Sequence, residues 1–492
     1  NYVTEKTLIK AIAFGGKEKT YQAWYGLEDP EKLRNDRTFN PAGMYFDENG
    51  NRQFYDDETD NYAQNHFQLH WSQKWSDKWV SNAALHYTIG KGYFEQYRED
   101  ETLADYNLPD FQGNAISDLV RKRWLDNDFF GAVFSLNYKT PKTDVMLGGA
   151  ANRYLGDHFG EVVWTQYYVP AANRYYNNIG NKDDVNVYAK ASQQFGKLNV
   201  FADLQYRMVF YEATSFRFDD VNDTFRFFNP KLGLNFDFND KHSFYGYFGV
   251  ANKEPRRDDY ENGSTKPERL FDYELGWKYQ SKKVNISANA FYMNYQNQLV
   301  LTGALNDVGS PIFTNSGKSY RVGLEVESVI ALSDKWIVNP NVTFSQNKNR
   351  DFVFQRDGVL QNLGNTTIAF SPDWVIGNRI TYSPVKALQL SLFSKFVSDQ
   401  YMGNIDSDRS KLDAYFVNDL NVSYEWKINK GVKSIVFSAL VNNLFNLEYE
   451  SNGYFYTYDD DWTTPGSVTT IEGAGFYPQA GINFLAGATI KL

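Results

Sequence analysis

Three of the five histidines, His66, His70 and His86, fall within one short stretch. His66 and His70 are four apart and so share a face of any strand that carries both. With a turn centred on Asp77, His86 falls diagonally across from His70 on the same polar face. Three imidazoles so placed could ligate haem iron or another metal. They fit equally as polar wall residues that hydrogen-bond across strands. No HExxH or other metalloenzyme spacing accompanies them. Asp459 to Asp461 offer hard oxygens for calcium, without EF-hand spacing, and read equally as solvated loop charge. Arg256 and Arg257 have the guanidinium forks that suit anionic chelates, or they pair with Asp258, Asp259 and Glu261 beside them. The richest binding chemistry is aromatic: Trp24, Tyr25, Tyr93, Phe94, Tyr97, Trp164, Tyr167, Tyr168, Tyr401, Tyr454 and Tyr456. Rings in exposed loops stack on flat ligands at low entropic cost. No catalytic constellation appears: there is no GxSxG elbow and no P-loop. With no cysteine, thiolate metal sites, disulfides and cysteine nucleophiles are excluded together. An enzyme is not expected, and no cofactor is implied.

The elements that would carry these residues have a period of two. Phe484, Ala486, Ala488, Ile490 and Leu492 form one apolar row against Asn483, Gly487, Thr489 and Lys491, a pattern that only Leu485 interrupts. Phe67, Leu69 and Trp71 alternate with His66, Gln68 and His70. Phe244, Gly246, Phe248 and Val250 alternate with Tyr245, Tyr247 and Gly249. Such alternation is a strand with one greasy and one polar face. Amphipathic helices with capping signals are absent. Tight-turn residues recur at Ser76-Asp77-Lys78, Gly196-Lys197, Asn239-Asp240-Lys241 and Ser333-Asp334-Lys335. Ser-Asp-Lys-Trp occurs twice, ending at Trp79 and Trp336, and a ring just after a turn suits an aromatic girdle. Between the short turns lie long polar insertions, near 18–65, 94–126, 155–183, 211–226, 252–268, 299–318, 346–366, 400–411 and 450–475.

About 18 strands are expected, beginning near 7, 66, 79, 129, 144, 184, 198, 228, 242, 269, 284, 319, 336, 367, 387, 412, 434 and 476. Short turns on one rim and long loops on the other describe an all-β, transmembrane, antiparallel β-barrel. The chain has 492 residues, a net charge of -10 and a 17% share of aromatics. No stretch reaches the ~20 apolar residues of a membrane helix, whereas a barrel strand needs only ~9–11. A soluble propeller would repeat every ~40–50 residues with a common signature, and none is found. The acidic balance argues against nucleic-acid binding.

Val441-Asn442-Asn443-Leu444-Phe445-Asn446, then Tyr449, resembles the penultimate strand of TonB-dependent outer-membrane transporters. Tyr477-Pro478-Gln479-Ala480-Gly481 and the strand to Leu492 resemble their last strand, although the family usually ends in an aromatic. Asn229-Pro230-Lys231-Leu232-Gly233-Leu234 and Glu254-Pro255 resemble the ends of a mid-barrel hairpin. Thr20-Tyr21-Gln22-Ala23-Trp24-Tyr25-Gly26 and Asn40-Pro41-Ala42-Gly43 resemble siderophore-type members from Bacteroidetes. The resemblance implies a barrel of 22 strands closed by an N-terminal plug. It also implies import of a metal chelate, foremost a ferric siderophore, through the outer membrane, driven by the TonB complex. Residues 1–492 would then be barrel throughout, without the plug and the first four strands, and with two strand edges left unpaired. Cobalamin, haem or an oligosaccharide are alternative cargoes. A passive porin, or a barrel whose loops dock a surface lipoprotein, is the rival reading. Lipopolysaccharide would surround the outer rim.

Overall fold

The computed structural model describes residues 1–170, 173–215, 218–261, 263–305 and 311–491. Nineteen strands form one antiparallel sheet in which each strand pairs with its neighbour in sequence. Eighteen are the expected ones, beginning at Thr7, Thr59, Trp79, Ile116, Thr143, Asn173, Leu198, Phe218, His242, Glu268, Val284, Lys318, Trp336, Trp374, Leu388, Tyr415, Val432 and Asn483. The nineteenth is the pair Tyr2–Val3, which folds back on Thr7–Tyr21. Among the described residues no pairing joins Thr7–Tyr21 to Asn483–Lys491, and every residue of the latter strand is exposed. The sheet therefore has two open edges. No helix among the described residues is long and apolar enough to cross a membrane.

The register explains the two faces. Val200, Leu234, Gly246, Leu275, Ala290, Leu324, Phe344 and Trp374 lie opposite one another across successive strands. This row belongs to an exposed apolar belt in which Leu275 is 71% and Leu234 52% accessible. A belt that crosses so many strands far exceeds the apolar patches of soluble monomers. Its rim carries the repeated Ser-Asp-Lys-Trp rings. Trp79 packs tilted against Tyr138 at 4.8 Å, and Trp336 stacks on Tyr382 at 4.2 Å. The opposite face is polar. Asp203 lies between Lys190 and Lys231 at 3.7 and 3.5 Å. Arg207 joins Asp184 at 2.6 Å to Glu254 at 2.8 Å, and Glu254 also holds Lys182.

Three sequence expectations are corrected. The insertions near 94–126, 155–183 and 211–226 are mostly ladder rather than loop. Their strands run on to Thr102, Thr165 and Ser215, and return from Ile116, Asn173 and Phe218. Backbone pairing continues above the belt, where loops bury Leu119, Val162 and Ala213 beside polar Gln96, Ser117 and Thr165, so the strict alternation between an apolar and a polar face fades while the strand persists. The last strand begins at Asn483, and 476 belongs instead to a separate hairpin, Glu450–Asp460 with Thr469–Pro478. Among the described residues two short α-helices occur, at Pro30–Asn35 and Arg257–Glu261. The first has an Asp29 N-cap that accepts from the Glu31 N–H and a proline in its first turn, which is a legible start signal.

Candidate functional site

The long-loop end of the sheet is a crown with two kinds of construction. In the N-terminal half, sheet strands rise continuously and loop residues pack against their sides. Gln22 is buried and holds three elements together: its amide donates to the Glu95 carbonyl at 3.2 Å, and its Oε1 accepts from Trp24 Nε1 at 3.0 Å. Asn40 donates to the Gln22 carbonyl at 2.7 Å and accepts from the Ala42 N–H, while Tyr21 donates to the Ala42 carbonyl. Met44 N–H closes a turn on Pro41 O, with Gly43 at φ +70°. That conformation favours glycine. The two motifs of residues 20–26 and 40–43 are thus one interlocked scaffold. Beside it, Glu58 is 3% exposed and accepts the Tyr97 N–H at 3.0 Å. Burial pushes its carboxyl up to about 7, against the pull of that N–H and of Arg98 and Arg121.

In the C-terminal half the sheet strands stop, and small detached hairpins fold together. They are Leu299–Leu305 with Pro311–Asn315, Val353–Arg356 with Val359–Asn362, Gln400–Tyr401 with Lys411–Leu412, and Glu450–Asp460 with Thr469–Pro478. The last two share a core of Met402, Leu412, Phe455 and Ala474, with Phe370, Ile405 and Phe476 against it. Asn404, 3% exposed, ties the loops: its amide donates to Leu301 O, and its Oδ1 accepts from Ala369 N–H at 2.9 Å and Asn349 at 3.2 Å. Next to this core is an open cavity of about 520 Å³, with Phe352, Phe354, Asn404, Phe455, Tyr458 and Asp459 among its walls. That volume suits a drug-sized ligand.

The last hairpin is the pivot of this region. On one face Tyr454, Tyr456, Tyr458 and then Trp462 form a ladder, with centroid spacings of 6.3, 6.5 and 5.8 Å. The rings lie flat because their cross-strand neighbours are Gly475 and Gly473, where a Cβ would collide with Tyr454 or Tyr456. The first loop meets this hairpin directly. Leu27 and Phe476 exchange backbone bonds of 2.8 and 3.0 Å. Glu28 accepts from Tyr454 at 2.8 Å and from Tyr456 at 3.3 Å, and Arg37 pairs with Glu450 at 2.6 Å. The two ends of the sheet, unpaired as strands, are thus joined at their loops. Asn443 clamps the exit to this hairpin: its side chain donates to Leu447 O and Ala480 O, and its φ is 48°.

The structure brings Trp24, Tyr25, Tyr454 and Tyr456 together. Trp24 stacks on Tyr25 at 3.8 Å, and Tyr477 donates to the Trp24 carbonyl. The other rings lie apart. Tyr93 packs on Trp124, and Tyr97 on Trp164 at 6.3 Å. Tyr167 and Tyr168 flank Phe111, and the Arg123 guanidinium lies over Phe94. Tyr401 accepts the Phe370 N–H through its carbonyl. Arg256 and Arg257 pair with Asp259 and Glu261, at 3.9 and 3.4 Å. His86 does lie diagonal to His70 on the polar face, as the spacing predicts. The three rings nevertheless take separate partners: His66 takes Thr88 at 2.9 Å, His70 takes Gln68 at 3.0 Å, and His86 takes Asn152 at 2.9 Å. No group of three or more His, Cys, Asp or Glu placed to hold a metal ion occurs among the described residues. Glu28, Gln355, Asn404 and Phe455 carry no signal of their own in the sequence, whereas Tyr458 and Trp462 stand out there only as the ends of an acidic and aromatic loop cluster. The signal for the ladder was present, as Tyr-x-Tyr-x-Tyr facing Gly-x-Gly.

Comparison with known proteins agrees with this architecture. Over 192 residues, 38% of this chain and 26% of theirs, the chain is 27% identical to the pesticin receptor of Yersinia enterocolitica. The match thus spans about a quarter of that relative's length. The fold is similar to the unliganded ferric citrate transporter FecA, with a TM-score of 0.70 at 12% identity, covering 99% of this chain and 68% of that one. It is also similar to the siderophore receptor PiuA from Acinetobacter baumannii, with a TM-score of 0.66 at 13% identity, covering 99% and 72%. Residues 14–444 match the family described as TonB dependent receptor-like, beta-barrel. With nearly the whole sheet inside that match, the chain belongs to this family of TonB-dependent receptor-like β-barrels.

Proposed function

We propose that this chain is the barrel of an outer-membrane importer that captures a scarce metal chelate, foremost a ferric siderophore, at its extracellular crown. The observation that carries this reading is the cavity of about 520 Å³ among the C-terminal hairpins, walled by rings, amides and one carboxylate. Rings supply stacking area and amides supply direction, which is what a ligand of fixed shape requires. The siderophore and ferric citrate receptors that share the fold support the cargo class. The apolar belt supports a multi-pass position in the outer membrane. The energy step is assigned to a TonB-engaged plug, which residues 1–492, read as barrel throughout, do not supply. On this reading haem, cobalamin and oligosaccharides are the competing cargoes. Uptake of iron-55 chelates by iron-starved cells, with and without a functional TonB complex, tests the proposal. Receptor-dependent uptake that stops without TonB supports it, and uptake indifferent to TonB favours a passive pore.

A second reading has its own observation. Leu360 and Trp462 are 71% and 66% exposed near the turns of two crown hairpins. Such tips suit a docked protein, for example a surface lipoprotein. Co-purification of a stoichiometric partner that is lost on Leu360→Asp and Trp462→Asp would establish it.

A further inference from the structure

The electrostatics of the crown cavity narrow the cargo, given that the chain imports a chelate. Asp459 stands in its wall with both oxygens occupied, Oδ1 accepting from Thr470 Oγ1 at 2.6 Å and Oδ2 from Gln355 at 2.9 Å. Those bonds hold its carboxyl below the ordinary range, so it is ionised at any physiological pH. Asp357 is fixed close by through a reciprocal pair with Thr470, at 2.7 and 2.8 Å. No cation among the described residues lines the cavity to balance this charge. Arg356 is paired with Glu472 at 3.0 Å, and Lys411 with Asp399 at 2.8 Å. Arg409 is exposed to solvent and acts on Tyr456 of the cavity wall, without being a wall residue itself. Among the described residues the other walls are neutral, Phe352, Phe354, Phe455, Tyr456, Tyr458 and the Asn404 amide among them.

A ligand entering this cavity gives up water and meets a fixed negative charge and the negative faces of aromatic rings. A trianionic chelate is penalised on both counts, while a cationic group is favoured by both. We infer that the crown cavity selects a neutral or positively charged chelate, of the tris-hydroxamate kind, and rejects polyanionic catecholate or citrate complexes. The inference rests on the import reading above and specifies the charge of its cargo.

The test uses the full-length receptor, purified in detergent, with tryptophan fluorescence as the binding signal. The probes are ferrioxamine B, a cationic tris-hydroxamate, and a ferric tris-catecholate carrying three negative charges. The expected result is at least about ten-fold tighter binding of the cationic probe. That ratio should shrink in Asp459→Asn and reverse in Asp459→Lys, with the fold verified by an unchanged heat-modifiability shift on gels. Tighter binding of the trianion by the wild-type protein overturns the charge assignment and leaves import standing. Equal binding of both probes overturns it too. Binding of neither probe, together with no receptor-dependent iron uptake from either, overturns the import reading as well.

Discussion

The two halves of the crown solve the same problem differently. In the N-terminal half the sheet itself grows out of the belt, so its rings and charges are attached to a ladder anchored below. Leu103, Tyr106, Leu108, Leu119 and Val162 form a small core against the side of that ladder. In the C-terminal half the ladder ends early. Met402, Leu412, Phe455 and Ala474 join two short hairpins in one core, Asn404 reaches the Leu301 carbonyl of a third, and Gln355 and Arg356 tie the fourth to Asp459 and Glu472. A rising ladder inherits register from the sheet beneath it. Detached hairpins get theirs only from mutual packing, and this leaves a cavity between them. The difference teaches where a ligand site can form: the continuous half is a wall, and the assembled half is a pocket.

The sharpest way to break this contrast is Phe455→Ala. Its ring is 3% exposed in the hairpin core, and its loss costs about 3–5 kcal/mol. Because the hairpins depend on one another, hydrogen exchange should accelerate across all four, and chelate binding should fall with it. Leu103→Ala, at a position with no exposed surface, removes about 2–4 kcal/mol by the same rule. Here faster exchange should stay within residues 103–115, since the flanking ladder holds its own register. Equal spreading in the two variants would erase the distinction.

A pH series tests the wall from within. Glu58 has a folded value of about 7 against an ordinary 4.5. Its folded-state value is raised, so its contribution is full below about 4.5 and is lost as pH rises through about 7. The loop around residues 40–58 should therefore be nicked faster by protease at pH 8 than at pH 5. An effect on the order of 1–3 kcal/mol is expected, and Glu58→Gln should flatten the profile. The junction between the two halves is weaker. Glu28→Gln removes the charge from the bonds of Tyr454 and Tyr456, at about 1 kcal/mol. The Tyr454 phenol, held well above its ordinary value by burial and by Glu28, should titrate lower by ultraviolet difference spectroscopy. Arg356→Ala should be the mildest change, since partly exposed ion pairs contribute about 0–1 kcal/mol.

The barrel strands were legible because a strand between lipid and a polar face must alternate. Phe244 to Val250 shows this in seven residues, and its register against Glu268–Gln280 places Gly246 opposite Leu275 on the apolar face. The same rule located the turns around Asp77 and Asp334, and the diagonal between His70 and His86. Above the belt the rule lapses. Residues 94–102 and 116–126 read as loop because polar and apolar side chains are mixed on both faces, with Leu119 and Val120 buried on opposite sides, although their backbones pair from Phe94 with Arg123 up to Thr102 with Ile116. The motif near residue 443 was recognisable, but its purpose was not. Only the folded chain shows Asn443 clamping Leu447 and Ala480.

The sequence by itself determined the class of the protein, the number of long strands, their order and the side on which the long connections lie. Each of these follows from local constraints: alternation within a strand, and turn residues between strands. Tertiary structure alone decided which aromatics matter. Tyr93, Tyr97 and Trp164 pack along the N-terminal wall, whereas Phe455, Tyr458 and Asp459 reach a cavity formed with residues about 50 to 150 positions away. Nothing in a single segment encodes such a meeting. It arises when separate hairpins bury their apolar residues against one another, and the space left between them becomes the site.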